Sequence, residues 1–170
     1  MRIKLGSKLK TDVWEFLKHN KVGNRAKGGN GSKTQAYTGL LGEVAVKRLF
    51  GKDDTLSVGF DGGFDFEHKG MKIDVKTTGR IVTPRPYYAH NFMGYQKDFD
   101  CDAYIFCTLC KKTSELYIDG WVTKEELFER SEKFKKGSIR KRDDGTELKL
   151  KATGYEILIQ NLNPLEKLLK

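Results

Sequence analysis

An α/β fold is what this sequence predicts, because helix-period and strand-period apolar patterns alternate along one chain. Four stretches carry the prediction. Tyr37, Leu40, Leu41, Val44 and Leu49 form an apolar stripe over a helix at Gln35–Phe50, which Gly51 stops. The run Asp61–Lys76 then reads as two short strands joined by a turn at His68-Lys69-Gly70. Ala103–Leu109 and Leu116–Val122 follow as strongly apolar strands.

The remaining elements fall around these. Val13, Trp14 and Leu17 mark a helix over Lys8–Lys18. Residues 19–34 are a Gly/Asn/Lys-rich loop, readable as a solvated linker or as an arm that orders on phosphates. Leu56, Val58 and Phe60 alternate in a first strand at Thr55–Phe60. Pro84 and Pro86 break the chain before a short helix around His90–Lys97. Thr123-Lys124-Glu125-Glu126 is a capping box that opens a helix with Leu127, Phe128 and Phe134 inward. Asp143-Asp144-Gly145 is a turn, Tyr155–Gln160 a last strand, and Asn163-Pro164 the start of a terminal helix. There is no internal repeat. The organisation predicted is a basic N-terminal helix and arm, residues 1–34, ahead of one globular domain, 35–170.

A chain of 170 residues is one domain by length, with room for a substantial core. No apolar stretch approaches the roughly 20 residues that span a bilayer, and Met1–Gly6 has no signal-peptide core. The expectation is a cytoplasmic protein without a membrane partner. Its three cysteines are read as reduced thiols. Cys107 and Cys110 lie at an odd offset that points them to opposite faces of a strand, so buried cysteines are expected rather than a zinc site. His68, in the turn, is read as exposed.

Net charge is +9 with a pI near 9.4. Residues 1–35 carry nine Lys/Arg against two acids, and Lys133–Arg142 carries six with no acid. A basic surface of this kind suits a polyanion.

The acidic hairpin supplies the chemistry. Side chains alternate along a strand, so Asp74 and Lys76 share a face while Ile73, Val75 and Thr77 point into apolar packing. In the preceding strand Phe64 and Phe66 take the buried face and Asp65 the opposite one. Two carboxylates and an ammonium then converge on one open, polar side. Neighbouring carboxylates repel unless a cation lies between them, and oxygen ligands suit Mg²⁺, with Mn²⁺ as a substitute. A lysine beside such a metal can orient water for hydrolysis of a phosphodiester.

A helix bearing Glu43, then strands bearing Asp65 and Asp74-Val75-Lys76, resemble the PD-(D/E)XK nuclease superfamily over roughly Tyr37–Val122. Phe64 stands where the family has its proline, and Asp74 where the commoner residue is Glu. The resemblance implies a restriction-endonuclease-like αβββαβ core, a central mixed sheet flanked by helices. It implies a Mg²⁺-dependent endodeoxyribonuclease in which Asp65 and Asp74 hold the metal, with Val75 in its shell. Lys76 positions the water, and Glu43 supports that metal or a second one. Arg25, Lys27, Lys33, Thr77, Thr78, Arg80 and Gln96 are the expected DNA contacts, and a homodimer would cut both strands by symmetry. The alternative is a non-catalytic DNA-binding protein on the same scaffold.

Overall fold

The computed structural model describes residues 1–20, 32–56, 62–141, 145 and 147–170. Its centre is a five-stranded mixed sheet in the order β1-β6-β5-β3-β2. These strands are β1 (Arg2–Lys4), β2 (Phe66–His68), β3 (Met71–Arg80), β5 (Ala103–Cys110) and β6 (Glu115–Thr123). β3 and β5 run parallel, and the other pairs are antiparallel. Every residue of β5 is buried, as an apolar strand covered on both faces requires.

Helices cover one face. α1 (Ser7–His19) buries Leu9, Val13 and Leu17, and α2 (Lys33–Leu49) buries Leu40, Leu41 and Val44, in one core with Ile73, Val75, Ile105 and Cys107. The N-terminal helix is thus part of the main core. Ser32 and Gln35 close a capping box that starts α2. The short α4 (Glu166–Leu169) adds Leu168 to this core; it begins two residues after Pro164.

Strands cover the other face. β4 (Ala89–Met93), β10 (Gly154–Leu158) and β7 (Glu132–Phe134) form a second antiparallel sheet in the order β4-β10-β7. With α3 (Lys124–Arg130) it encloses Phe92, Tyr104, Phe106, Val122, Leu127 and Ile157. A separate hairpin, β8 (Ile139–Lys141) and β9 (Glu147–Lys149), lies between β7 and β10 in sequence.

The α/β class holds, and several expected elements change. The helix expected at His90–Lys97 is strand β4 followed by a 3₁₀ turn at Gly94–Gln96, because His90 and Phe92 are buried with period two. The parallel crossover from β3 to β5 therefore runs through a strand of the second sheet, where an αβββαβ order would put a helix. Phe134 sits in β7 rather than on α3, which ends at Arg130. Phe64 packs with the second core and Phe66 with the first, so they do not share a face. Asp65 accordingly precedes β2 instead of lying within it. The strand expected at Thr55–Phe60 and the turn at Asp143–Gly145 fall largely outside the described residues, as do Arg25 and Lys27.

Candidate active site

The hairpin β2–β3 turns through Lys69 and Gly70, both at positive φ (51° and 76°), the two-residue geometry that matches strand twist. β2 covers the edge of β3 only from Met71 to Ile73. One further bond, Asp65 N–H to the Ile73 carbonyl at 2.8 Å, closes the ladder. Beyond it the next donor on that edge is the Val75 N–H, and the Asp65 carboxylate takes it at 2.6 Å. The N–H and C=O of one residue point to the same side of a strand, so the Val75 carbonyl faces the same uncovered edge.

Alternation along β3 does what the sequence predicts. Ile73 and Val75 join the helix-side core, while Asp74 and Lys76 face the second sheet and form an ion pair, Oδ2 to Nζ 2.5 Å. The face is not open, however. Asp74 is only 7% exposed, because β4 and β10 roof the sheet where the sequence suggested solvent. Burial pushes the Lys76 ammonium down, but the charge and hydrogen bond of Asp74 hold its pKa above the ordinary lysine value.

Glu43 reaches the cluster through a close helix–sheet contact. Gly42 of α2 lies so near Thr77 that a Cβ there would stand 1.9 Å from the Thr77 hydroxyl oxygen. Only glycine allows that approach, and it brings the next residue, Glu43, toward the edge of β3. Glu43 is also bonded to Lys47, one turn on, at 2.7 Å. Its charge is felt at Asp65, whose carboxyl is held well above the usual range. Burial is the first cause, then the charges of Asp74 and Glu43; the Val75 N–H and Lys76 oppose them.

So Glu43, Asp65, Asp74 and Lys76 are brought together. Among the described residues, no three His, Cys, Asp or Glu side chains are grouped as a metal centre as they stand.

The expected DNA contacts separate. Thr77 points to α2, and its buried hydroxyl has no hydrogen-bond partner among the described residues, so it cannot serve the Asp74–Lys76 face. Thr78 and Arg80 do lie on that face: Thr78 bonds His90, and Arg80 donates to the Ala89 carbonyl at 2.6 Å. Lys33 opens α2, ten residues or about 15 Å before Glu43, with its ammonium 4.9 Å over the Trp14 ring. Gln96 is half-buried in the 3₁₀ turn, on the segment that brings Asp100 to Lys72 beside the hairpin. His68 is not simply exposed, since its ring packs on Phe50 and contacts the Leu168 carbonyl at 3.2 Å.

One network escapes the sequence. His90 is buried between Thr78 (Nδ1 to Oγ1, 3.1 Å) and Asp119 (Nε2 to Oδ2, 2.8 Å), and Thr108 donates to the same Asp119 oxygen at 2.6 Å. Ile118 packs in the helix-side core and Val122 in the second core, so strict alternation breaks between them. A β-bulge marks the break: Cys107 pairs with Ile118 and Phe106 with Gly120, leaving Asp119 as the extra residue on the face opposite Ile118. The three cysteines are all buried, with free thiols. Burial pushes the Cys101 thiol up to about 12, with the Asp74 charge adding to it.

Comparison of the chain with known protein families, with curated proteins and with solved structures found no match. The fold and the site define a mixed α/β protein with a buried carboxylate–lysine cluster at the edge of its main sheet.

Proposed function

We propose that this protein is a Mg²⁺-dependent endodeoxyribonuclease of the restriction-endonuclease-like class. The observation that carries the reading is geometric: Asp65, held on the Val75 N–H at 2.6 Å, stands at an uncovered strand edge beside the Asp74–Lys76 pair. Burial is the first cause of the raised Asp65 carboxyl and the charges of Asp74 and Glu43 the next, a repulsion that a divalent cation would relieve. The donors fit Mg²⁺, which commonly keeps its waters and takes one or two carboxylates plus substrate phosphate. Asp65, Asp74 and the Val75 carbonyl would hold it, with Glu43 in support. Bound there, the ion would supply charge neutralisation for an in-line phosphodiester hydrolysis.

The protein's own groups do the rest. Asp65 is fixed by the Val75 N–H at 2.6 Å. Lys76, fixed by Asp74, presents an ammonium that can orient water and stabilise developing negative charge. The net charge of +9 draws the DNA polyanion. A homodimer would give one site per strand of duplex. No described helix is long and apolar enough to cross a membrane.

A second reading, a DNA-binding protein without catalysis, is favoured by the lack of an assembled three-ligand group among the described residues. Incubation with supercoiled, linear, single-stranded and four-way-junction DNA, in Mg²⁺ or in chelator, separates the two. The nuclease cuts at least one of these in Mg²⁺ and stops in chelator. Binding without cutting in either condition, with Mn²⁺ also tried, selects the second reading.

A further inference from the structure

Beyond the acidic cluster, the same face of β3 runs into a groove of about 690 Å³, a volume typical of ligand sites. Arg80 lies four residues past Lys76, about 13 Å along the strand. We propose that this groove receives an unpaired nucleotide of the DNA strand held at the acidic cluster, so that the preferred substrate carries unpaired bases beside the cut. The inference rests on the nuclease reading for its substrate, but the groove is argued from its own residues.

Its chemistry is aromatic and cationic. The Arg80 guanidinium stacks on Tyr88 at 4.9 Å and donates to the Ala89 carbonyl. Its Nε is buried with no hydrogen-bond partner among the described residues. Arg140 is neutralised by Glu156 at 2.9 Å, so Arg80 gives the groove its net positive charge. Tyr87 supplies a platform: the residue is 55% exposed, and its ring stands edge-on to Tyr88 at 5.0 Å and is tethered by Arg85 through the phenol oxygen at 3.2 Å. Ile81 and Val82, both exposed, extend the apolar rim.

This combination does not suit the outside of a duplex. Paired bases are stacked out of reach of an aromatic face, and a rail for duplex phosphates needs a row of cations. An exposed tyrosine with a fixed arginine suits a base out of the stack, with its phosphate nearby.

The test uses wild-type protein in chelator, with oligonucleotides carrying 2-aminopurine either unpaired or paired a few nucleotides from a junction. Stacking on Tyr87 predicts quenching of the unpaired probe only, lost in Tyr87→Ala and kept in Tyr87→Phe. In Mg²⁺, kcat/KM should favour the unpaired-flank substrate by about tenfold, in line with base–aromatic stacking, and the ratio should fall toward one in Tyr87→Ala. Quenching that depends on Tyr87 without cleavage of any DNA would sustain the groove and sink the nuclease reading. Cleavage without preference, or a preference that Tyr87→Ala leaves intact, would overturn the groove while the nuclease stands. Equal quenching of paired and unpaired probes would overturn it as well.

Discussion

Asp65 shows how one residue can be read in two ways. As a structural group it satisfies the Val75 N–H where β2 stops covering β3. A neutral amide would accept that bond without facing Asp74 and Glu43. A carboxyl whose folded pKa is raised binds more protons in the native state, so it lowers stability as pH rises from about 4 toward its folded value. Asp65→Asn should therefore raise the Tm of metal-free protein at neutral pH and leave it nearly unchanged at pH 3.5. Thermal melts at both pH values check this; a Tm loss at neutral pH would mean that the charge is needed by the fold. Asp74 differs. It is buried against Lys76, and removing one partner of a buried pair costs about 3 kcal/mol or more, where an open face would have made the change cheap. Variants at this pair need their folding verified before activity is compared.

At the scale of elements, the contact between α2 and β3 positions Glu43. Gly42→Ala forces a methyl group into the Thr77 hydroxyl, and overpacking of this kind costs about 1–3 kcal/mol. The Gly42→Ala, Thr77→Ala double variant should recover part of that loss, a coupling visible in urea denaturation. Strictly additive losses would show that α2 is not held at this point. The elements differ in how readable they were. β3 was legible because Ile73, Asp74, Val75 and Lys76 alternate without interruption, and α2 and α3 because their capping boxes sit at the right spacing. β4 was not, since two prolines and a short segment hid its period, and its burial depends on pairing with β10, more than 60 residues away. Asp119 was unreadable for a related reason: a bulge moves the strand's apolar residues from one core to the other between Ile118 and Val122. Roofing of Asp74 follows from the same second sheet, so the site's membership was visible in sequence while its burial was not.

For the whole molecule, charge and site are separable. If Lys and Arg residues release counterions on DNA, log affinity should fall linearly with log salt, with a slope of about −0.9 per phosphate neutralised. Fluorescence anisotropy on a short duplex between 50 and 200 mM salt, roughly the range over which such affinities change by orders of magnitude, reads that slope. A flat response would remove polyanion binding from the account. On the proposed nuclease reading, the Asp65–Asp74–Lys76 cluster would cut DNA held by the chain's basic residues. The most direct measurement is plasmid nicking in Mg²⁺ by wild-type protein and by Asp74→Asn, with circular dichroism and DNA affinity recorded on the same samples. The account predicts a folded variant that binds DNA about as tightly as wild type and cuts it slower by about 10²-fold or more; nicking at the wild-type rate by folded Asp74→Asn protein would contradict it.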